Sequence, residues 1–350
     1  MLAMLIAAAL LQAPQDVDAR AQSLLEATGS PGAMVAVMDA DGVRVGAAGV
    51  RVRGGDAPVT PDDLWHMGSN TKAMTATLAA RLVEQGVIGW DSTIAEVLGA
   101  LELDIHADLA GADLASLLSH RSGLAANAGM QTSMRLAGAD ADRGAAADRL
   151  VYARSVVSAP GGERGDFLYS NAGYVVAALM LETTAGESYE ALMTREVFGP
   201  LGMTSAGWGP PGEAGAADQP RGHRGGLFGL SAAEPGAGAD NPPAMNSAGR
   251  AHMSAADLMA FLDLHRRGAA GEDTGYLTTE SFARLHAPVG DYALGWGVRA
   301  DGALSHSGSN TMWLVSMVVH PGEGWAAAAG VNDGRLDRVS GPVRAALERD

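Results

Sequence analysis

Residues 66–74 read HMGSNTKAM, and Lys72 within them is the only lysine of the 350-residue chain. Lysine and arginine together number 24, so arginine supplies the other 23. Ser69 stands three residues before that lysine, at the head of an apolar-periodic run, KAMTATLAARLVEQG. On a helix, positions i and i+3 share a face, so the ammonium reaches the hydroxyl. The unpaired N–H groups and positive dipole end of a helix start suit an oxyanion or a developing alkoxide. A serine is a weak nucleophile until a neighbouring base takes its proton. Lysine becomes such a base when desolvation lowers its pKa, whereas arginine stays protonated. By spacing alone, S-x-x-K reads as well as a helix cap followed by a solvated lysine. The lysine census tips the balance toward chemistry, because a chain that otherwise uses arginine has kept its one amine here.

Two later stretches fit the same site. LYSNAGY holds Tyr169, Ser170 and Asn171 at a helix start. A phenolate at Tyr169, stabilised by Lys72, would accept the serine proton, and the Asn171 amide would hold Lys72 and a substrate carbonyl. LSHSGSNTMW puts His306, Ser307 and Gly308 on an expected strand, with Ser309 in the turn that follows. Glycine at 308 permits close approach of a ligand to the backbone. The Ser309 N–H would then pair with that of Ser69 as an oxyanion hole. Taken singly, each stretch reads equally well as a half-buried tyrosine or a strand-end histidine.

Working outward, AMVAVM (33–38) and VRVGAAGV (43–50) flank a short turn ending in Gly42, the pattern of an antiparallel hairpin. Strands are expected again at Tyr292–Arg299, Ala303–His306, Thr311–His320 and Trp325–Val331, with a closing helix over Arg335–Glu348. Between these ends, residues 73–88, 112–119, 144–158, 171–185, 187–196 and 255–267 carry helical spacing. Residues 206–245 are crowded with Gly, Pro and Ala and read as a long irregular loop. The expected architecture is α/β: one antiparallel sheet built from both termini and flanked by helices, plus an inserted all-α region. That division gives a sheet domain from 20–95 and 246–350 and a helical domain from 96–245. A cleft between them is the natural site, with specificity expected in the 206–245 loop and around Trp208, Trp296 and Trp313.

A net charge of −16 argues against nucleic acid or an anionic membrane as partner. The absence of cysteine excludes disulfides, thiolate metal sites, cysteine nucleophiles and a lipidated cysteine. Residues 1–13, MLAMLIAAALLQA, are too short to span a bilayer and resemble the apolar part of an export signal without its basic leader. Residues 1–19 are therefore expected to be a leader, and the mature protein periplasmic or secreted without a stable membrane anchor.

S-x-x-K, then Y-x-N about 100 residues on, then H-x-G near the C-terminus resemble the serine β-lactamase and DD-peptidase superfamily, in its class C branch with related esterases and peptidases. LLSHRSGL (117–124), NSAGRAHMSAADLMAFL (246–262) and YALGWGV (292–298) extend the likeness over roughly residues 20–345. The resemblance implies Ser69 as the acylated nucleophile and Lys72 with Tyr169 as a proton-shuttling pair. It also implies Asn171 and the Ser69 and Ser309 N–H groups as substrate contacts, with no cofactor or metal. β-Lactamases of this type carry lysine where His306 stands, and an imidazole offers little charge to a carboxylate at pH 7. The expected activity is thus hydrolysis of a small ester, amide or peptide through an acyl-enzyme. The alternatives are a D-amino-acid or DD-peptidase, a weak β-lactamase, or a penicillin-binding sensor without turnover.

Overall fold

The computed structural model describes residues 16–137, 144–226 and 229–349, so the apolar stretch 1–13 lies outside the described residues. Among the described residues the strands, in chain order, are β1 Gly32–Asp39, β2 Gly42–Gly49, β3 Leu64–His66, β4 Gly207–Trp208, β5 His223–Gly226 and β6 Gly229–Ala232. They continue with β7 Ala251–Ser254, β8 Gly297–Val298, β9 Leu304–Ser309, β10 Leu314–His320 and β11 Trp325–Val331. The main sheet is antiparallel with the order β2-β1-β11-β10-β9-β8, so strands from the two ends of the chain meet at its centre.

Alternation along the strands explains why this sheet is buried on both faces. Met34, Ala36 and Met38 of β1 join one core, while Ala33, Val35 and Val37 join another. Strand β11 does the same, with Ala326 and Ala328 on one side and Ala327, Ala329 and Val331 on the other. The helices Val17–Thr28 and Leu336–Ala345 cover one face, and Ala255–Ala269 packs on the other against β1 and β11. The alanines of β11 let that helix approach closely. The hairpin β1–β2 closes as its sequence suggests, Asp39 facing Gly42 in register and Gly42 turning at φ +99°.

Residues between the two halves are mainly helical. Thr71–Glu84, Ala145–Val156 and Asn171–Ala185 lie at 73–88, 144–158 and 171–185, where helical spacing is strongest. Three local expectations change. The 112–119 spacing yields only Leu114–Leu118, opened by a reciprocal Asp113–Ser116 capping box. The 187–196 stretch is the α-helix Tyr189–Met193 followed by a π turn, Thr194–Phe198. The strand expected over Tyr292–Arg299 shrinks to the two residues of β8. Gly295 turns there at φ +79°, and a Cβ on it would lie 2.7 Å from the Lys72 carbonyl oxygen. The apolar residues of 292–298 therefore pack as a loop beneath the Thr71–Glu84 helix instead of alternating across a sheet.

The Gly/Pro-rich segment 206–245 is less irregular than its composition suggests. It contains β4, the β5–β6 hairpin and short 3-10 turns at Ala237–Ala239 and Pro243–Met245. Among the described residues no helix is long and apolar enough to cross a membrane.

Candidate active site

Ser69 sits in a 3-10 turn, Gly68–Asn70, that runs directly into the Thr71–Glu84 helix. Two buried side chains fix this turn: Thr71 Oγ1 donates to Gly68 O at 2.7 Å, and Asn70 Nδ2 donates to Val315 O of β10 at 2.9 Å. Gly68 adopts φ +50°. A Cβ there would stand 2.3 Å from Ser309 N, and one on Gly308 would stand 2.0 Å from Met67 O and 2.6 Å from Ser69 N. The Gly68–Asn70 turn and the end of β9 thus meet backbone to backbone, with room for hydrogen atoms only.

Lys72 projects from the first turn of the helix and is wholly buried. Its Nζ donates to Ser69 Oγ at 3.1 Å, to Asn171 Oδ1 at 2.7 Å and to the Ala248 carbonyl at 2.6 Å. All three N–H bonds of the ammonium are used, and none goes to a carboxylate. Desolvation without a counter-charge brings its pKa down from 10.5 to about 7. Asn171 opens the Asn171–Ala185 helix, whose N-cap, Ser170, accepts from Gly173 N–H. The Asn171 amide nitrogen donates in turn to Asn127 Oδ1 at 2.8 Å.

Tyr169 lies beside this group, its ring centroid 4.9 Å from Lys72 Nζ. Burial pushes its phenol up to about 12, and a hydrogen bond with the Ser69 hydroxyl offsets that only partly. His120 holds the Tyr169 backbone from both sides, its carbonyl accepting from Leu168 N–H at 2.9 Å and its Nδ1 from Ser170 N–H at 3.0 Å. The His120 ring packs 4.2 Å from the Tyr169 ring, centroid to centroid, and its backbone is left-handed at φ +63°. That conformation is sparsely populated by any residue other than glycine, and here it aims one side chain at a tyrosine.

His306 is engaged at both ring nitrogens. Its Nδ1–H donates to the Ser307 carbonyl at 3.1 Å, so Nε2 accepts from Tyr292 O–H at 3.0 Å. Desolvation, helped by the charge of Lys72, lowers its pKa to about 3, so the imidazole is neutral at pH 7. Ser69, Asn171 and Ser309 line a cleft of about 430 Å³, together with Asn127, Asn241 and Asn310. Gly308 packs against the backbone of residues 67–70 beside it.

The sequence expectations left out a second tier beneath the serine. Gly68 N–H donates to His66 Nδ1 at 3.2 Å, so the proton on Nε2 points to Asp240 Oδ2 at 2.8 Å. Asp240 also receives Arg250 Nε at 3.1 Å and Asn310 Nδ2 at 3.1 Å. Burial opposes ionisation of Asp240, yet the His66, Arg250 and Asn310 contacts hold it below the usual carboxylate range. From Arg250 the bonds continue through Asn246 to Glu190 and to the fully buried Arg149, which also pairs with Glu182 at 2.9 Å. The tryptophans expected to shape specificity are elsewhere. Trp296 stacks on Phe261 in the core, Trp313 is buried against His66, and Trp208 packs on Tyr189 and Phe198. From the 206–245 loop it is Asn241, Pro242 and Met245 that reach the cleft. Among the described residues no group of three or more His, Asp or Glu side chains is placed to hold a metal ion.

The chain is similar to known proteins to differing extents. The family model described as Beta-lactamase matches residues 17–348. Penicillin-binding protein 4 of Amycolatopsis lactamdurans is 28% identical over 326 residues, covering 87% of this chain and 81% of its own length. The unguisins hydrolase of Aspergillus violaceofuscus is 27% identical over 179 residues, half of this chain, and the match spans only 31% of that longer protein. Among solved structures, the D-amino acid amidase of Ochrobactrum anthropi SV3 superposes with a TM-score of 0.73 at 19% identity, covering 93% of this chain and 96% of that one. At that identity the likeness is one of fold. The family match, running almost from one end of the described chain to the other, makes the protein a member of the beta-lactamase family.

Proposed function

We propose that the protein is a serine hydrolase that cleaves an ester or amide through an acyl-enzyme on Ser69. The observation that carries this reading is the single lysine. It is fully buried, lacks an acidic partner, lies 3.1 Å from Ser69 Oγ and has a pKa near 7. When Lys72 loses its proton, two N–H bonds remain for Asn171 and Ala248, and the lone pair faces Ser69 Oγ. The serine proton passes to that lone pair as Oγ attacks the carbonyl carbon. The developing oxyanion falls between Ser69 N–H and Ser309 N–H. Tyr169, whose phenol stays protonated to about pH 12, serves as a hydroxyl relay that hands a proton to the leaving group, with Lys72 as the base. Water then attacks the Ser69 ester with the same base, releasing the acid and restoring Oγ–H.

The relative named as an unguisins hydrolase and the fold neighbour named as a D-amino acid amidase support hydrolysis, with an amide as one candidate bond. His306, neutral and bonded at both nitrogens, makes β-lactam turnover a minor activity. The test is hydrolysis of 4-nitrophenyl acetate by the parent protein and by Ser69→Ala and Lys72→Arg. Both variants are expected to lose about 10³-fold or more in kcat/KM. Intact mass after brief exposure to the ester should show an acetyl group on the parent alone. Undiminished hydrolysis by Ser69→Ala would exclude the mechanism, and undiminished hydrolysis by Lys72→Arg would exclude the lysine as base.

A further inference from the structure

Among the described residues, none that lines the cleft above Ser69 is charged, in a chain that carries 24 basic and 40 acidic side chains. Asn127, Asn171, Asn241 and Asn310 all line it, with Ser133 and Thr311 between them. Two of these amides belong to the framework. Asn171 joins Lys72 to Asn127, and Asn310 is engaged at both ends, by Asp240 and by Met312 N–H. The other two are open. Asn127 accepts from Asn171 through its oxygen, and its NH₂ group has no partner among the described residues. The Asn241 side chain makes no hydrogen bond there at all, its backbone N–H alone bonding Asp240.

Among the described residues, the basic side chains packed around Ser69 are engaged by protein groups. Lys72 faces inward, Arg250 is held by Asp240 and Asn246, and His306 gives both ring nitrogens to protein groups. Arg224 lies beyond Thr311, in the adjoining cleft, with its guanidinium on the Gly238 carbonyl. A carboxylate next to the scissile bond would meet no unpaired positive charge among the lining residues described. A peptide amide would lose nothing comparable, because a side-chain amide donates to its C=O and accepts from its N–H.

We propose that the substrate is an uncharged peptide amide, without a carboxylate on the residue that follows the bond cut, whose amide groups are read by Asn127 and Asn241. This rests on the acyl-enzyme reading and narrows it to one substrate class. In the reaction the C–N bond of the peptide breaks, Ser69 keeps the acyl half, and the amine half leaves with the proton delivered by the Tyr169–Lys72 pair.

The test compares acetyl-Ala-Ala-carboxamide with acetyl-Ala-Ala free acid, each in L,L and D,D forms, by the release of alanine amide or alanine. At least one carboxamide is expected to be cleaved with kcat/KM about ten-fold or more above its matched acid. Asn127→Ala and Asn241→Ala should each raise KM for that carboxamide about five-fold more than KM for 4-nitrophenyl acetate. His306→Lys should move the ratio toward the free acid. Equal or faster cleavage of the acids overturns the proposal, and so does Ser69-dependent ester hydrolysis with no peptide cleaved. Loss of both proposals together has its own signature, ester and peptide hydrolysis that survive Ser69→Ala.

Discussion

Desolvation is what makes an amine useful at position 72. In the unfolded chain Lys72 titrates at 10.5, and in the folded one at about 7. Below pH 7 both states hold the proton and the penalty for burying the cation is constant. Between pH 7 and 10.5 the unfolded state binds more protons, so stability attributable to this residue rises with pH. The difference between 10.5 and about 7 corresponds to roughly 5 kcal/mol. Lys72→Met lacks this titration, so the melting temperature of the parent relative to that variant should climb between pH 7 and 10. A gap that stays flat would mean the amine is not desolvated. On the activity side, kcat/KM should increase with pH through an apparent pKa near 7 and lose that limb when Lys72 is replaced. Gly308 gives a second residue-scale expectation. A Cβ there would stand 2.0 Å from Met67 O, so Gly308→Ala must push β9 away from the nucleophile turn. About 100-fold loss in kcat is expected, with the far-ultraviolet circular dichroism unchanged.

At the scale of elements, the serine turn is held by a loop that joins the structure 174 residues later. His66 and Asp240 form a buried pair under Gly68 N–H, and Arg250 closes it from the start of β7. Asp240→Asn removes the charge facing Arg250 and leaves that guanidinium buried without its carboxylate. A loss of about 3 kcal/mol is expected in urea unfolding, together with slower acylation of Ser69. An unchanged urea midpoint would show that the pair carries no such energy. This tier also marks where the sequence stops being readable. Ser69 and Lys72 are one helical turn apart, so their contact follows from spacing and composition. His66 and Asp240 meet only after the whole helical region has folded, and no local pattern records that. His120 was hidden for another reason. LLSHRSGL is visible as a motif, but its histidine owes its place to a left-handed backbone and a ring contact with Tyr169. The apolar residues of 292–298 misled in the opposite direction, since a buried loop and a strand share the same composition until Gly295 is seen to turn.

For the whole molecule, the antiparallel sheet from both chain ends was legible because β1 and β9–β11 announce themselves by β-rich runs between glycine turns. Its burial on both faces was not, since alternating apolar residues of one strand entering two cores look like a single hydrophobic run. One global property follows from the interior those cores create. Burial lowers His120 to about 2, His286 and His306 to about 3, and His265 well below its ordinary value of 6.5. Each is neutral when folded and protonates in the unfolded chain as the pH falls through 6.5, so stability is lost from there toward pH 3. The slope is about 1.4 kcal/mol per pH unit for each histidine. Asp240 and Asp333 have folded values below 3.8, and their stabilising share persists until the pH falls below about 4. Loss of stability between pH 6.5 and 4.5 is therefore the signature of these four desolvated histidines. Calorimetry at pH 7, 6 and 5 should show a steadily falling melting temperature, and a constant one would refute their neutral burial.

The enclosure of Lys72 has a practical consequence at the bench. Since the chain has no other lysine, its exterior presents guanidinium and carboxylate groups but no ε-amine. Succinimidyl dyes and aldehyde fixatives, which rely on such amines, find none on the surface and are left with the α-amine of the chain. Any ε-amine adduct must sit on the residue next to Ser69, so a single mass shift together with lost activity would report how far a small electrophile penetrates the pocket. Surface attachment is better directed through the exposed carboxylates among the chain's 40, by carbodiimide coupling, which leaves the buried amine untouched.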